Sequence, residues 1–326
     1  MNTNTQQSAI APELHVVFGA GQTGLTLTDE LLARGKRVRV VSRSGKAPVP
    51  AGVEVRAADA TDPAAVAELC RGAAAAYHCL SAPYPRQCEV LPQMQQAMIA
   101  GAGAAGVILV ALDDLYMYGE THGQVITEDT PHAATTRKGT VRRQIAANYL
   151  RAHQNGQVRV AVGRAADFFG PRVLASALGD RAFPPALAGR AAQALGDVNT
   201  MHSFSYIKDV ARGLATLGER PEALGREWLL PVAPAVTTRE MVRLIGEAVG
   251  HPVRVQAIPK ALIQAMGLVN PQMREMVEMF YQYTEPEIVS SGRFEAAFGW
   301  HATPLTKAIP ETVAWFRKSA EGAKAG

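Results

Sequence analysis

Through the first half of the chain, short runs dense in β-branched and apolar residues alternate with longer stretches whose apolar positions recur every three or four residues. The runs LHVVF (14–18), RVRVV (37–41), VEVR (53–56), AAYHCL (75–80), GVILVAL (106–112) and QVRVAVG (157–163) have the length and composition of buried strands. Between them, segments such as QTGLTLTDELLARG and DPAAVAELCRGA carry helical spacing, with Asp or Thr near the start. Strand and helix in alternation predict an α/β fold, a doubly wound parallel sheet covered on both faces. The longest apolar run, MIAGAGAAGVILVAL (98–112), is too short for a membrane span and is broken by glycines, so it reads as a helix end, a turn and a buried strand.

Beyond about residue 171 the pattern changes to helices with isolated strand-like pieces. HSFSYIKDVARGLATL sets a short strand before a helix that Asp209 is placed to cap, and EWLLPV is another strand. TTREMVRLIGEAVG opens with capping-box spacing from Thr237 to Glu240. The expected division is a core over residues 1–171 and a smaller C-terminal substrate lobe over 172–326, with some segments returning to the core. Residues 1–12 and the tail SAEGAKAG read as disordered ends.

The 326 residues are 48% hydrophobic, enough for a substantial core. A net charge of +4, from 33 basic and 29 acidic side chains, is too slight and too scattered for a nucleic-acid surface; a small anionic ligand accounts for it better. Cys70, Cys79 and Cys88 form no C-x-x-C pair, which suggests neither disulfide nor zinc and fits a reduced cytoplasm. The N-terminus lacks the charged-then-apolar design of a leader.

The most specific motif is HVVFGAGQTG. Gly19, Gly21 and Gly24 make G-x-G-x-x-G directly after a strand and directly before a helix, the setting in which it marks a dinucleotide (Rossmann) fold. Gly19 permits the turn, Gly21 leaves room for a pyrophosphate, Gly24 lets helix and sheet approach, and Gln22 and Thr23 open the helix whose amides meet the phosphates. The acidic residue expected about 20 positions on, to bind the adenosine ribose, is missing. The second strand runs into Ser42, Arg43, Ser44 and Lys46, and a carboxylate-free pocket with a guanidinium favours NADP over NAD. Asp59 and Asp62 follow the third strand, where a side chain could approach adenine; Asp62 equally fits a helix N-cap. Leu80, Ser81 and Ala82 end the fourth strand, small enough for a cofactor to pass close, while His78 and Cys79 read as core residues.

These segments resemble the extended short-chain dehydrogenase/reductase superfamily, in particular its NAD-dependent epimerase/dehydratase branch. VVFGAGQTG, YHCLSAP, LYMYG, GRAADFFGP, HSFSYIKDVARGL and FGWHATPLTKAIPETVAWFR carry the resemblance over nearly the whole chain. It implies a seven-stranded Rossmann core with a small-molecule substrate held between core and C-terminal lobe, no nucleic acid or membrane partner, and a homodimer through core helices.

The resemblance also implies a Ser or Thr four residues before a Tyr-Gly pair, and a Tyr-x-x-x-Lys on the helix after the fifth strand. Here the pair is Tyr118-Gly119 and Asp114, beside Asp113, stands four residues before it. In TTRKGTVRRQ, Lys138 takes the tyrosine position and Arg142 the lysine position, still on one helix face. Arg142 can keep a ribose contact but never gives up a proton. Lys138, with a pKa lowered by its cationic neighbours, Tyr116, Tyr118 and Asp114 are then the candidate proton-transfer groups. The loop after the sixth strand brings Arg164, Asp167 and Phe168 toward the nicotinamide, and His202 and Tyr206 are candidates for the substrate wall. The leading expectation is an NADP-dependent oxidoreductase moving a hydride between nicotinamide and a small or medium carbonyl, alcohol or activated alkene. A sugar-nucleotide epimerase or dehydratase, and an NADP(H)-binding sensor without chemistry, are the alternatives.

Overall fold

The structure, a computed structural model, describes residues 12–325, so the expected disorder of residues 1–11 lies outside the described residues. Seven parallel strands form the central sheet: β1 (Leu14–Phe18), β2 (Arg37–Ser42), β3 (Glu54–Ala57), β4 (Ala75–His78), β5 (Ile108–Asp113), β6 (Arg159–Arg164) and a seventh strand, Glu227–Leu229. Their spatial order is β3-β2-β1-β4-β5-β6-seventh, so the direction of winding reverses between β1 and β4. All six strands expected in the first half are present.

Alternating side chains divide the sheet's two faces. Val16 and Phe18 of β1, with Leu109 and Ala111 of β5, pack against α2 (Pro63–Cys70), α3 (Gln87–Ala104) and α4 (Arg137–Gln154). Val17, Tyr77, Val110 and Ala161 point the other way, onto α1 (Gln22–Ala33) and the helix Ile207–Glu219. Because both faces are buried, the strands read as continuous apolar runs rather than alternating ones. Two histidines within these layers each pair one ring nitrogen internally: His15 Nδ1 lies 2.9 Å from the Tyr77 hydroxyl and His78 Nδ1 lies 2.5 Å from that of Tyr149, while their Nε2 atoms are buried without a hydrogen bond. Burial pulls the His78 imidazole down to about 4, so it is a neutral core residue, as expected.

The chain re-enters this core after residue 171. The amphipathic helix Ile207–Glu219 covers the sheet beside α1, and Glu227–Leu229 completes its edge against β6. The remaining C-terminal segments build a separate cluster around Phe183, Phe204, Ile245 and Phe316. Thr237 caps its helix as its spacing predicts, accepting from the Glu240 amide at 3.0 Å. Asp209 does not cap: its helix begins at Ile207, and its buried carboxylate accepts instead from the Thr303 amide and hydroxyl at 2.7 and 2.8 Å. The tail expected without structure continues the helix Leu305–Ala325, since alanine, lysine and glutamate propagate a helix whose start is anchored in the core. No helix among the described residues is long and apolar enough to cross a membrane.

The glycine turn after β1 sits at the reversal of winding, at the carboxyl ends of the strands, where such sheets bind ligands. Gly19 takes φ +117°, and a Cβ there would stand 2.5 Å from the Cys79 carbonyl oxygen. A Cβ on Gly24 would stand 1.9 Å from the Gly19 carbonyl oxygen, whereas one on Gly21 meets nothing within 4 Å. Gly24→Ala is therefore expected to destabilise the fold by about 2–3 kcal/mol, and Gly21→Ala by less than about 1 kcal/mol, as read from urea midpoints.

Candidate active site

The carboxyl ends of β1, β4 and β5, with the loop after β6, enclose a cleft of about 490 Å³. One end is the start of α1. Gly21 caps that helix with no side-chain bond, and Gln22 and Thr23 line the cleft, so the first-turn amides face open space. Unpaired amides at the positive end of a helix dipole, with no side chain in front of them, fit a pyrophosphate. Leu80 and Ser81 continue the wall from the end of β4, while Ala82 turns into the core.

Beyond the glycine turn, β2 ends at Ser42, whose hydroxyl donates to the Lys46 carbonyl at 2.9 Å and closes a tight loop. Arg43 projects from that loop into solvent. Asp59 faces it, and bonds from the Thr61 amide (2.9 Å) and hydroxyl (2.8 Å) hold the Asp59 carboxyl below its ordinary value, with the Arg43 charge adding to the effect. The Asp59 oxygen that accepts both bonds is thus committed to its own turn. Asp62 serves as N-cap of α2, accepting from the Ala64 amide at 2.9 Å.

At the other end of the cleft, Arg142 reaches from α4 to the end of β5. Its Nη1 donates to Asp113 Oδ1 at 3.0 Å and its Nε lies 2.9 Å from Asp114 Oδ2. Burial pushes the Asp114 carboxyl up to about 6, against the pull of Arg142. Tyr116 and Tyr84 line the cleft beside it. Burial raises Tyr84 to about 12, and Tyr116 is driven well above 10 by burial and by the Tyr84 and Asp114 charges. Both phenols are therefore protonated at neutral pH. Tyr84, in the loop directly after Ser81-Ala82-Pro83, was not among the residues singled out by sequence, although that loop borders the motif.

Three expected site residues lie elsewhere. Lys138 is 2% exposed, but its ammonium is paired with Glu275 and lies 3.9 Å from Glu278, both on the helix Pro271–Glu278, and it does not line the cleft. It sits 4.7 Å from the centre of the Tyr84 ring. Two carboxylates contributed from a segment more than 130 residues away explain why the helix position alone misassigned it. Arg164, expected near the nicotinamide, is 1% exposed and held by protein groups: Nη1 donates to the Tyr118 hydroxyl at 2.9 Å and to His132 Nε2 at 3.0 Å, Nη2 pairs with Glu227, and Nε lies 3.6 Å from Asp113 Oδ2 without a hydrogen bond. Tyr118 is accordingly an acceptor in a buried ion network, not a group facing a ligand.

The wall opposite α4 is acidic. Asp167 and Glu287 line it, and His202 stands behind them, its Nε2 donating to Asp167 Oδ2 at 3.2 Å and lying 3.7 Å from Glu287 Oε1. Burial pulls His202 down, but the Asp167 bond and the Glu287 charge outweigh it and hold the imidazole above its ordinary value. Burial pushes Glu287 up to about 7, with Asp167 and Asp114 adding to the rise against His202. Glu287 reaches this wall because its strand-like segment bridges in parallel to His202, a long-range pairing with no local signal. Tyr206 packs in the lobe and donates to Glu311 at 2.5 Å, so it is a core residue.

Comparison with known proteins places this geometry in a family. Among curated proteins none matches the chain. Solved structures of the same fold include an epimerase from Methanothermobacter thermautotrophicus, with TM-score 0.80 and 16% identity over 97% of this chain and 95% of that one. A UDP-glucose 4-epimerase from Thermotoga maritima, solved with UDP-glucose, superposes with TM-score 0.78 at 16% identity, covering 94% and 99% of the two chains. A Thermus thermophilus UDP-glucose 4-epimerase in complex with NAD gives 0.74 at 21% identity, covering 93% and 99%. At such identities the likeness is one of fold. The sequence itself matches the family model over residues 15–229, from β1 through the seventh strand, and the chain belongs to the NAD dependent epimerase/dehydratase family.

Proposed function

We propose that the protein is an NADP-dependent oxidoreductase that interconverts a carbonyl and an alcohol, with Tyr84 as the proton donor and Tyr116 behind it. The observation that carries this is the pair of protonated phenols, Tyr84 and Tyr116, that line the cleft together with Asp114. NADPH, when bound, would supply a hydride for the carbonyl carbon. Tyr84 would give its proton to the carbonyl oxygen as the alcohol forms, with Tyr116 beside it as the second phenol of the cleft, and the phenolate would be reprotonated from solvent. Asp114, close to its titration point at neutral pH and bonded to the Tyr116 amide at 3.0 Å, fixes the Tyr116 backbone at the pair. Arg142 holds the two aspartates in place, and Lys138 supports the Tyr84 ring from outside.

The preference for NADP rests on the end of β2, where Arg43 is exposed and Ser42 and Ser44 stand in place of the carboxylate that would bind a ribose diol. Arg43→Ala is expected to weaken NADP binding about 10- to 100-fold and to leave NAD binding within about twofold, measured by fluorescence quenching and calorimetry. Equal losses for both dinucleotides would remove the case for a phosphate contact.

For the chemical step, Tyr84→Phe is expected to lower kcat for carbonyl reduction about a hundredfold or more while NADPH still binds. Lys138→Met should cost about tenfold or less, because it removes a support and not a proton. The opposite ranking, with Lys138→Met inactive and Tyr84→Phe near wild type, would return the proton to Lys138.

A further inference from the structure

The charges around the cleft are unevenly settled. On the α4 side, the guanidiniums of Arg142 and Arg164 stand against the carboxylates of Asp113, Asp114 and Glu227, and every charged group has an opposite neighbour within 3.6 Å or closer. On the facing wall, Asp167 and Glu287 share only His202. One proton held between His202 and Glu287, whichever carries it, leaves those three side chains with a net negative charge beside Asp167. Among the lining side chains of the described residues, Arg142 is the single cation, and both aspartates of β5's end already hold it.

A ligand entering this space meets carboxylates without a free counter-ion. A diphosphate there would add negative charge to a low-dielectric wall that offers no guanidinium or ammonium to receive it, and buried charge without a partner is costly. A cation meets the opposite situation. The rest of the lining is uncharged: Leu112, Leu115, Ala165 and Phe168 give it apolar surface, Gln282 donates to Glu287 at 3.1 Å, and the cleft's volume of about 490 Å³ has to accommodate the nicotinamide as well.

We infer that the substrate is a compact organic amine, protonated at neutral pH, that carries its reacting carbinol or carbonyl carbon one or two bonds from the ammonium, with Asp167 and Glu287 as the counter-ions. This rests on the oxidoreductase reading above and makes the two acids specificity-determining groups. The apolar residues take the amine's hydrocarbon part, and the ammonium completes the charge balance of the Asp167, Glu287 and His202 wall.

Three probes with one carbon frame separate the possibilities: phenylethanolamine, styrene glycol and mandelate carry an ammonium, a hydroxyl and a carboxylate beside the same carbinol. Calorimetry on the full chain saturated with NADP, at pH 8, is expected to show phenylethanolamine binding at least about tenfold more tightly than styrene glycol, with mandelate weakest. Asp167→Asn and Glu287→Gln should each reduce the amine-over-diol ratio about tenfold while NADP affinity is unchanged. UDP-glucose is the fourth probe. Tighter binding of mandelate or UDP-glucose than of the amine, equal binding of all three small probes, or no amine binding at tens of millimolar overturns the assignment. Loss of NADP binding itself would instead remove the oxidoreductase reading, so the two failures are told apart by the dinucleotide measurement made first.

Discussion

A chain of buried charges that links the carboxyl ends of β5 and β6 to the first residue of the seventh strand organises the site. Glu227 opens the seventh strand, Arg164 ends β6, Asp113 ends β5 in direct register with Arg164, and Arg142 reaches down from α4 to Asp113 and Asp114. Each member is buried deeply enough that losing one partner would strand the next, a penalty of about 3–5 kcal/mol. The chain therefore fixes how the strand ends, the helix α4 and the loop containing Asp114 and Tyr116 stand relative to one another. It also occupies the guanidiniums: Arg142 is held by Asp113 and Asp114, and Arg164 by Tyr118, His132 and Glu227.

From that expenditure follows the character of the cleft. Its phosphate-binding end relies on backbone amides at the start of α1, which need no cationic side chain. Its far end has phenols and carboxyls, two of them pushed up by burial, Asp114 to about 6 and Glu287 to about 7. Groups that titrate near neutrality in a concave, partly apolar space are characteristic of sites that move protons. Here the phenols and carboxyls of the cleft come from four separated pieces of chain, the β4 and β5 loops, the segment at Asp167 and the segment at Glu287.

Those separations decide what could be read from the sequence. The strands of the core were legible because each is a continuous apolar run, and the glycine turn because its spacing and setting are local; the same holds for the Thr237 cap. Leu80, Ser81, Gln22 and Thr23 were reachable in the same way, since they directly follow strand ends. Arg164 was misplaced because its position on a strand end says where its backbone lies and not which of Glu227, Tyr118 or an incoming ligand its guanidinium meets. Glu287 was invisible, being delivered by a pairing with His202 across 84 residues of intervening chain. The return of residues 207–229 to the sheet was signalled by the amphipathic face of one helix and the strand-like run EWLLPV, which show that a helix and a strand form but not which sheet they join.

Position 138 shows how one substitution on a helix propagates. Lys138 and Arg142 are one turn apart, and two cations at that spacing, about 6 Å, repel by roughly 3 kcal/mol at an effective dielectric of 20. Both remain because they are drawn in opposite directions: Arg142 toward Asp113 and Asp114, Lys138 toward Glu275 and Glu278. The second pair of carboxylates brings the helix Pro271–Glu278 against the loop of Tyr84, and the lysine comes to rest over that ring. A lysine at the position where the resemblance implies a tyrosine thus stands over the ring of a tyrosine supplied by the segment after β4, and its charge is met by carboxylates from the C-terminal lobe.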